Sequence, residues 1–411
     1  MKYILPFLLL VSWKLQAGTT LKDAFEAAKI NMETLKRSDS QIKQAVARKN
    51  QARAAFLPTV SGVGNETRID EPQMSGVNRA FVLTRQYSAA LRLQQPLLRG
   101  GSLSGFQMRD EEILLSRFQK DATTINLYQL VINAYYNLHL AKVDLKNLSE
   151  LLKFSQQRVK EIRSLANVGR SRRGELIQAE TQQLTAEAQY RQGEMNLKEA
   201  EEQFEFLTQM KSSDLTPISL LPRKLDTLSS YLEKLKMRPD IKARLQEVKV
   251  AEKQISVSKG GHYPSVDLVS NYYLDRTGVL QTSEWDVAVQ VSVPIFQGGA
   301  VAAQVKESVE VKRVAELNAD ETVRAAKRDL VILYQNYHQM QSQLETMSSA
   351  LKKAEEAYQL NLKDYRFGQV TNLEVLQTLN LFIETKRSYN NLLTLAHMTY
   401  KNIEASIGVL P

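Results

Sequence analysis

Apolar residues recur along two long stretches of this chain at alternating steps of four and three. Ala134, Leu138, Ala141, Leu145, Leu148, Leu152, Ser155, Val159, Ile162 and Ala166 form one seam. Leu333, Tyr337, Met340, Leu344, Met347, Leu351, Ala354, Tyr358, Asn361 and Tyr365 form a second, displaced by 199 residues. A sustained seven-residue repeat predicts helices that supercoil left-handedly against partner helices. Neither Phe106–Val168 nor Ala300–Phe367 contains glycine or proline, so each run predicts an unbroken helix about 90–100 Å long. Alanine, serine, asparagine and tyrosine in the seams suit close packing or a partly wet face better than a two-stranded zipper.

Each run stops at a glycine with a glutamate six residues on: Gly169 and Glu175, Gly368 and Glu374. Helical periodicity then resumes, from about Glu175 to Met210 and from about Leu373 to Ile407. A long helix, a glycine turn and a returning helix predict a helical hairpin in each half.

Ahead of each run the period changes from seven to two. In Phe81–Gln94, Phe81, Leu83, Tyr87, Ala89, Leu91 and Leu93 fall on one face, with Thr84, Gln86, Ser88, Arg92 and Gln94 on the other. Arg85 falls on the apolar side. Trp285, Val287, Val289, Val291 and Val293 likewise oppose Asp286, Ala288, Gln290 and Ser292. Period two marks a strand with one apolar and one wet face. Thr59–Ile69 and Val266–Arg276 supply partners for two hairpins. The strands are long enough to cross a bilayer at a tilt, and apolar-out, polar-in alternation is the pattern of a transmembrane barrel. A soluble sheet packed on the helices is the alternative. Four strands cannot close a membrane barrel, for which about eight is the minimum, so a barrel needs several chains.

The whole arrangement is written twice. Pro96-Leu97-Leu98-Arg99-Gly100-Gly101 returns as Pro294-Ile295-Phe296-Gln297-Gly298-Gly299. Self-similarity at long range predicts a duplicated domain. Residues 18–210 make the first repeat, with strands in 59–94 and a helical hairpin over 102–210; residues 237–411 make the second, with strands in 265–293 and a hairpin over 300–407; residues 211–236 link them.

Composition narrows the class. Lys2 precedes the apolar stretch Tyr3–Val11, too short to span a bilayer and of the kind found in a signal peptide, here 1–17 with cleavage after Ala17. No apolar run of about 18 residues follows, which excludes helical membrane spans. The 411 residues include no cysteine, so no disulfide, thiol metal site or N-terminal lipid acceptor is expected. The net charge of +9 is spread along helices among acidic neighbours, which argues against nucleic acid as a partner. No Ser/His/Asp set, phosphate loop or paired-carboxylate motif stands out, so neither an enzyme nor a cofactor is expected. His139 and His338 are repeat equivalents; three copies would bring six to one level, but a duplicated surface position explains them equally well, and no metal site is assigned.

Several short motifs occur in a specific order: Thr20-Leu21-Lys22-Asp23-Ala24, Ala54-Ala55-Phe56-Leu57-Pro58, the two Pro-x-x-x-Gly-Gly turns, Arg238-Pro239-Asp240-Ile241 and Tyr365-Arg366-Phe367-Gly368. With these, nearly all of the chain after residue 17 resembles the TolC family of outer-membrane channels. The resemblance implies a mainly α, mixed fold: duplicated helical hairpins forming a coiled-coil tunnel, and four strands per chain contributed to a twelve-stranded barrel shared by a homotrimer. It implies an exit duct across periplasm and outer membrane for a tripartite efflux pump or a type I secretion system. The implied partners are outer-membrane lipid, a periplasmic adaptor, and an inner-membrane pump or ABC transporter. The family's acidic rings at the periplasmic tip match Glu374 and Gln377, the second therefore uncharged; its tip tyrosine matches Tyr365, and Glu175 is the repeat equivalent of Glu374. The arginine that the family often pairs with an acid falls on Val370, so the resemblance carries over no salt-bridge lock. Adaptor docking is expected around Val168, Gly169, Arg170, Phe367, Gly368, Gln369 and Val370. A pore-less secreted or periplasmic coiled-coil scaffold is the rival reading; it explains the helices but not the duplicated strands.

Overall fold

A computed structural model of the chain describes residues 18–68, 70, 85–211, 215–218, 225–277 and 281–411. The expected signal peptide, 1–17, and the expected strand start, Phe81–Thr84, lie outside the described residues. In chain order the elements are α1 (Leu21–Asn31), α2 (Glu33–Ala54), β1 (Thr59–Arg68), β2 (Arg85–Leu98), α3 (Ser102–Asn167), α4 (Arg173–Thr208), α5 (Leu228–Lys234), α6 (Pro239–Lys259), β3 (Ser265–Arg276), β4 (Trp285–Ser292), α7 (Ala300–Arg366) and α8 (Asn372–Ser406). Helices and strands thus follow one another twice in the same order. The two breaker-free runs are single helices of 66 and 67 residues.

Two compact units draw on both halves of the chain. The first takes in the described parts of Met1–Lys36, Thr123–Arg238 and Ala325–Pro411. All twenty seam residues named above are buried or half-buried in it, none exposed. Their neighbours explain why the seam is not purely aliphatic. Phe25 of α1 meets the Tyr128 ring of α3 at 4.9 Å, beside Val131, Ile132, Tyr135 and Phe204. Lower down, Tyr358 stacks on Phe382 at 6.0 Å over Leu151, Ala186, Leu379 and Ile383. Aromatic rings fill the wide spaces between helices that aliphatic knobs leave open. α1 begins with a capping box in which Thr20 and Asp23 satisfy each other's backbone N–H groups.

The second unit, Arg37–Ala122 with Pro239–Arg324, contains the sheet. Its order is β1-β2-β3-β4, antiparallel throughout. The strand alternation is present, and in β4 every residue but half-buried Asp286 is exposed, the apolar row included. Trp285, Val287, Val289 and Val291 are 54–64% exposed, and Leu91, Tyr272 and Leu274 join them. The opposite face is knit by polar bonds: Arg92 Nε donates to Asn271 Oδ1 at 2.9 Å, Asn271 Nδ2 to Asp286 Oδ1 at 2.8 Å, and the Tyr273 hydroxyl to Asp286 Oδ2 at 2.8 Å. Arg85, on the apolar side, sits at the end of β2 and donates to Glu66 Oε1 at 2.9 Å. β2 continues past the expected end at Gln94 to Leu98, because a bulge between Pro96 and Leu98 lets the strand absorb a residue that has no N–H to give.

The turn from β2 into α3 is packed on the end of α6. A Cβ placed on Gly260 would lie 2.3 Å from the Gly101 nitrogen, so only glycine fits there.

Candidate functional site

The helical turns are built alike. Gly169 has φ +75°, its N–H donating to the Ala166 carbonyl while the Arg170 N–H reaches back to Leu165. Gly368 has φ +73°, with its N–H bonded to Tyr365 and that of Gln369 to Asp364. Both are Schellman motifs, in which a glycine of positive φ lets two N–H groups close over the last helical carbonyls. The turns leave Val168 (68%) and Phe367 (70%) exposed. Gly169, Arg170, Gly368 and Gln369 are exposed as well, whereas Val370 is half-buried against the Tyr358–Phe382 cluster.

The repeat-equivalent glutamates are held differently. Glu374 completes a capping box: its Oε2 accepts from the Thr371 N–H at 2.8 Å, and the Thr371 hydroxyl accepts from the Glu374 N–H at 3.4 Å. Its side chain is exposed, as is that of Gln377 one turn on. Glu175 is half-buried and accepts a 2.5 Å bond from Ser171, while Arg172, the residue before α4, offers no side-chain cap. Thr371 through Glu374 carries the T-x-x-E spacing that marks such a box in sequence.

Between these turns lies an arginine that sequence reasoning missed. Arg158 on α3 is only 5% exposed. Its guanidinium carbon lies 3.8 Å from the centroid of the Tyr365 ring on α7. Nε donates to Asn372 Oδ1 on α8 at 2.8 Å, and Nη1 to Glu161 Oε2 at 3.2 Å. Fully buried Asn372 in turn donates to the Glu175 carbonyl of α4 at 3.4 Å. Three helices from both hairpins, α3, α7 and α8, therefore meet at one cation, and Asn372 ties α4 to them. Burial pushes the Tyr365 hydroxyl above the usual tyrosine range, and Arg158 pulls the other way.

Further polar ties follow along the hairpins. Gln182 donates to Asn380 at 2.8 Å, Lys386 pairs with Glu150 at 2.5 Å, and Arg387 grips both oxygens of Asp144 at 2.6 and 3.0 Å. The Asp144 carboxylate raises the Arg387 pKa still further. Each joins α8 to the first hairpin. His338 packs its ring on Tyr334 at 4.7 Å, and half-buried His139 lies near His397. Among the described residues no group of three or more His, Asp or Glu side chains fits a metal ion.

Comparison with known proteins agrees with this architecture. The outer membrane efflux protein family matches residues 24–208 and 231–409. The outer membrane protein TolC of Escherichia coli is 23% identical over 444 aligned residues, covering 100% of this chain and 87% of that protein. A probable efflux pump outer membrane protein of Pseudomonas putida, TtgC, is 25% identical over 342 residues, covering 80% of this chain and 71% of the relative. A proteases secretion protein of Dickeya chrysanthemi, PrtF, is 23% identical and covers 79% and 73%. Among solved structures, the CmeC outer membrane channel of Campylobacter jejuni superposes with a TM-score of 0.82 at 18% identity, covering 94% of this chain and 85% of that one. VceC of Vibrio cholerae gives 0.81 at 17% identity, covering 95% and 96%. The fold is that of these channels.

Proposed function

Because the chain belongs to the outer membrane efflux protein family, we propose that three copies pool their four-stranded sheets into one twelve-stranded barrel, and that the helical hairpins form a passive conduit into the periplasm. The observation that carries this reading is the uncovered apolar row of β4. Val287, Val289 and Val291 stand 54–62% exposed, and a contiguous apolar face of this kind has to be covered. Lipid covers it without any protein partner. Tyr272 pairs with Trp285 at one end of the valine row, and exposed Phe296 follows its other end, as interfacial aromatic girdles would. Arg85 and Glu66, paired on the same side, then lie at the rim, where a charged head reaches water.

In this assembly Glu374, Gln377, Glu175 and Tyr365 surround the narrow end of the conduit, and Glu374 supplies its one strong ring of charge. The Arg158 contacts hold the two hairpins of each chain together there. A periplasmic adaptor docks on the exposed turns at Val168, Gly169, Arg170, Phe367, Gly368 and Gln369, with Val370 behind them. The inner-membrane partner is a pump or an ABC transporter; relatives named for efflux and for protease secretion support either service. The chain works as two structural repeats, 18–210 and 237–411, joined by 211–236 after export removes 1–17.

The test is to extract the protein from outer-membrane fractions and measure its native mass. Three copies, dissociating only on heating, are expected. A stable detergent-free monomer in the soluble fraction overturns the proposal.

A further inference from the structure

The second half of α2 is basic throughout. From Ser40 to Pro58 the chain carries four cations, Lys43, Arg48, Lys49 and Arg53, and no acid. A helix dipole favours a cation in the last turn, and in α2 that turn holds Arg53 alone. The repeat does not require the others. Pro58 and Pro264 each stand just before the first strand of a hairpin, 206 residues apart. By that offset Arg48 and Lys49 are matched in α6 by Gln254 and Ile255, and Val46 by Glu252.

These cations border a groove of about 580 Å³ between α2 and α3, with Val46, Phe106, Ile113 and Leu114 as its apolar lining. Lys49 lies across it, with Nζ 2.6 Å from Asp110 Oδ1 and 5.0 Å from the Phe106 ring centroid. The two helices run antiparallel, Lys49 level with Asp110 and Asp39 level with Lys120. Arg53 therefore stands at the sheet end of the groove. Arg117, eleven residues beyond Phe106 and about 16 Å along α3, stands at the far end. Both arginines are exposed, and among the described residues neither bonds an acid. Three cations against the one carboxylate of Asp110 leave the groove positive.

The sheet end of the groove runs into the apolar surface at the foot of the strands. Phe56 sets its ring against Phe106 at 6.1 Å, and its carbonyl accepts from Gln95 Nε2 of β2 at 2.9 Å. Phe56, Leu57, Leu97 and Leu98 are all exposed. An apolar surface with a cationic rim below it fits a lipid with an anionic head. Acyl chains cover the apolar part, and phosphoryl oxygens meet the guanidinium and the ammonium.

We propose that Arg53 and Lys49 bind the phosphoryl head of an anionic phospholipid at the periplasmic surface of the outer membrane. The inference rests on the lipid-facing reading of the sheet given above and adds to it which lipid the chain selects. Arg117 serves as the control within the groove. A headgroup layer is about 5–8 Å deep. A bound lipid thus reaches Arg53 and Lys49, about 6 Å apart along α2, and does not reach Arg117. A soluble anion has no such limit and would use all three.

The test offers full-length protein, stripped of lipid in mild detergent, equal amounts of phosphatidylglycerol and zwitterionic phosphatidylethanolamine. Native mass spectrometry counts the lipid retained, and phosphatidylglycerol is expected in excess. Arg53→Gln should lower that preference about fivefold, and Arg53→Gln with Lys49→Gln should lower it further. Arg117→Gln should leave it intact, and excess inorganic phosphate should not displace the lipid. No preference in the unaltered protein, or one unchanged in Arg53→Gln, overturns the site. Equal loss in Arg117→Gln, or displacement by inorganic phosphate, overturns the lipid in favour of a soluble anion. Loss of the threefold mass in Arg53→Gln makes the groove a joint between copies and also overturns the proposal. The same spectra keep the two readings apart: an unaltered protein of threefold mass without the preference defeats this inference alone, whereas one of monomeric mass defeats the shared barrel.

Discussion

Arg158 and Tyr365 tie the two helical hairpins to each other: the guanidinium of the first hairpin lies 3.8 Å from the ring centroid of the second. The arginine is 95% buried and hydrogen-bonds Asn372 and Glu161. Replacing it with alanine removes a desolvated cation–π contact and a charge-assisted bond, and is expected to cost about 2–4 kcal/mol. Arg158→Lys should rescue little, since an ammonium cannot both lie flat on the ring and reach Asn372. Higher resting conductance in planar bilayers, with a lower melting temperature, is the expected signature. Wild-type conductance and melting in Arg158→Ala would show that this contact does not hold the tip.

Glu374 caps α8, and in the proposed channel it also supplies the ring of charge; substitutions separate the two. Glu374→Gln keeps an acceptor for the Thr371 N–H but removes the charge; Glu374→Ala removes both. Both variants should lose cation preference and divalent block in bilayer recordings. Only the alanine variant should also destabilise the start of α8, by about 0.5–1 kcal/mol. Glu175→Gln should change selectivity less, since that side chain is engaged by Ser171. Unchanged selectivity in Glu374→Gln places the constriction elsewhere.

Gly368 is constrained by its backbone and not by its surroundings: a Cβ there meets nothing within 4 Å, yet φ is +73°. Gly368→Val is therefore expected to cost about 1–2 kcal/mol through the left-handed conformation. Gly368→Asn should cost less, because asparagine tolerates that region. Adaptor pull-down from membranes should fall in the valine variant and largely survive in the asparagine one, with the barrel inserted in both. Equal adaptor binding by valine and wild type removes the turn from the docking surface.

Val289 and Gln290 are adjacent and opposite. Val289→Arg puts a charge on the exposed apolar face and should cost about 2–4 kcal/mol if that face lies near the bilayer midplane. Gln290→Arg should be far milder. Yield of heat-resistant oligomer from membranes reads the difference, and similar losses at both positions would contradict the lipid-facing assignment.

His139 gives a pH dependence. Burial lowers its pKa, and His397 and Lys142 push the same way. The unfolded chain then takes up the proton first as pH falls. Its contribution to stability is whole above about pH 6.5 and is lost progressively below that value. Melting temperatures between pH 7 and pH 5 should fall less steeply in His139→Gln than in wild type. Parallel slopes would mean that His139 titrates as freely as in the unfolded chain.

Local periodicity in the sequence determined the elements and their faces. The heptad seams became α3 and α7 with every seam residue at least half-buried, and the valine row of β4 emerged on one face as its alternation required. Glycines at the turns, and the T-x-x-E of the Glu374 box, were likewise readable, because dihedral angles and caps are settled within a few residues. The tertiary structure alone decided that, among the described lysines and arginines, Arg158 became the buried one. Nothing near Arg158 in the chain distinguishes it from other helical arginines; Tyr365 and Asn372, more than 200 residues away, do. It decided too that β2 sits beside β3, with Arg92 level with Asn271. Repeat spacing is imposed on each helix or strand by its own backbone geometry. A partner for a charge or an edge is chosen by desolvation and bonding across elements, and only the assembled chain supplies those.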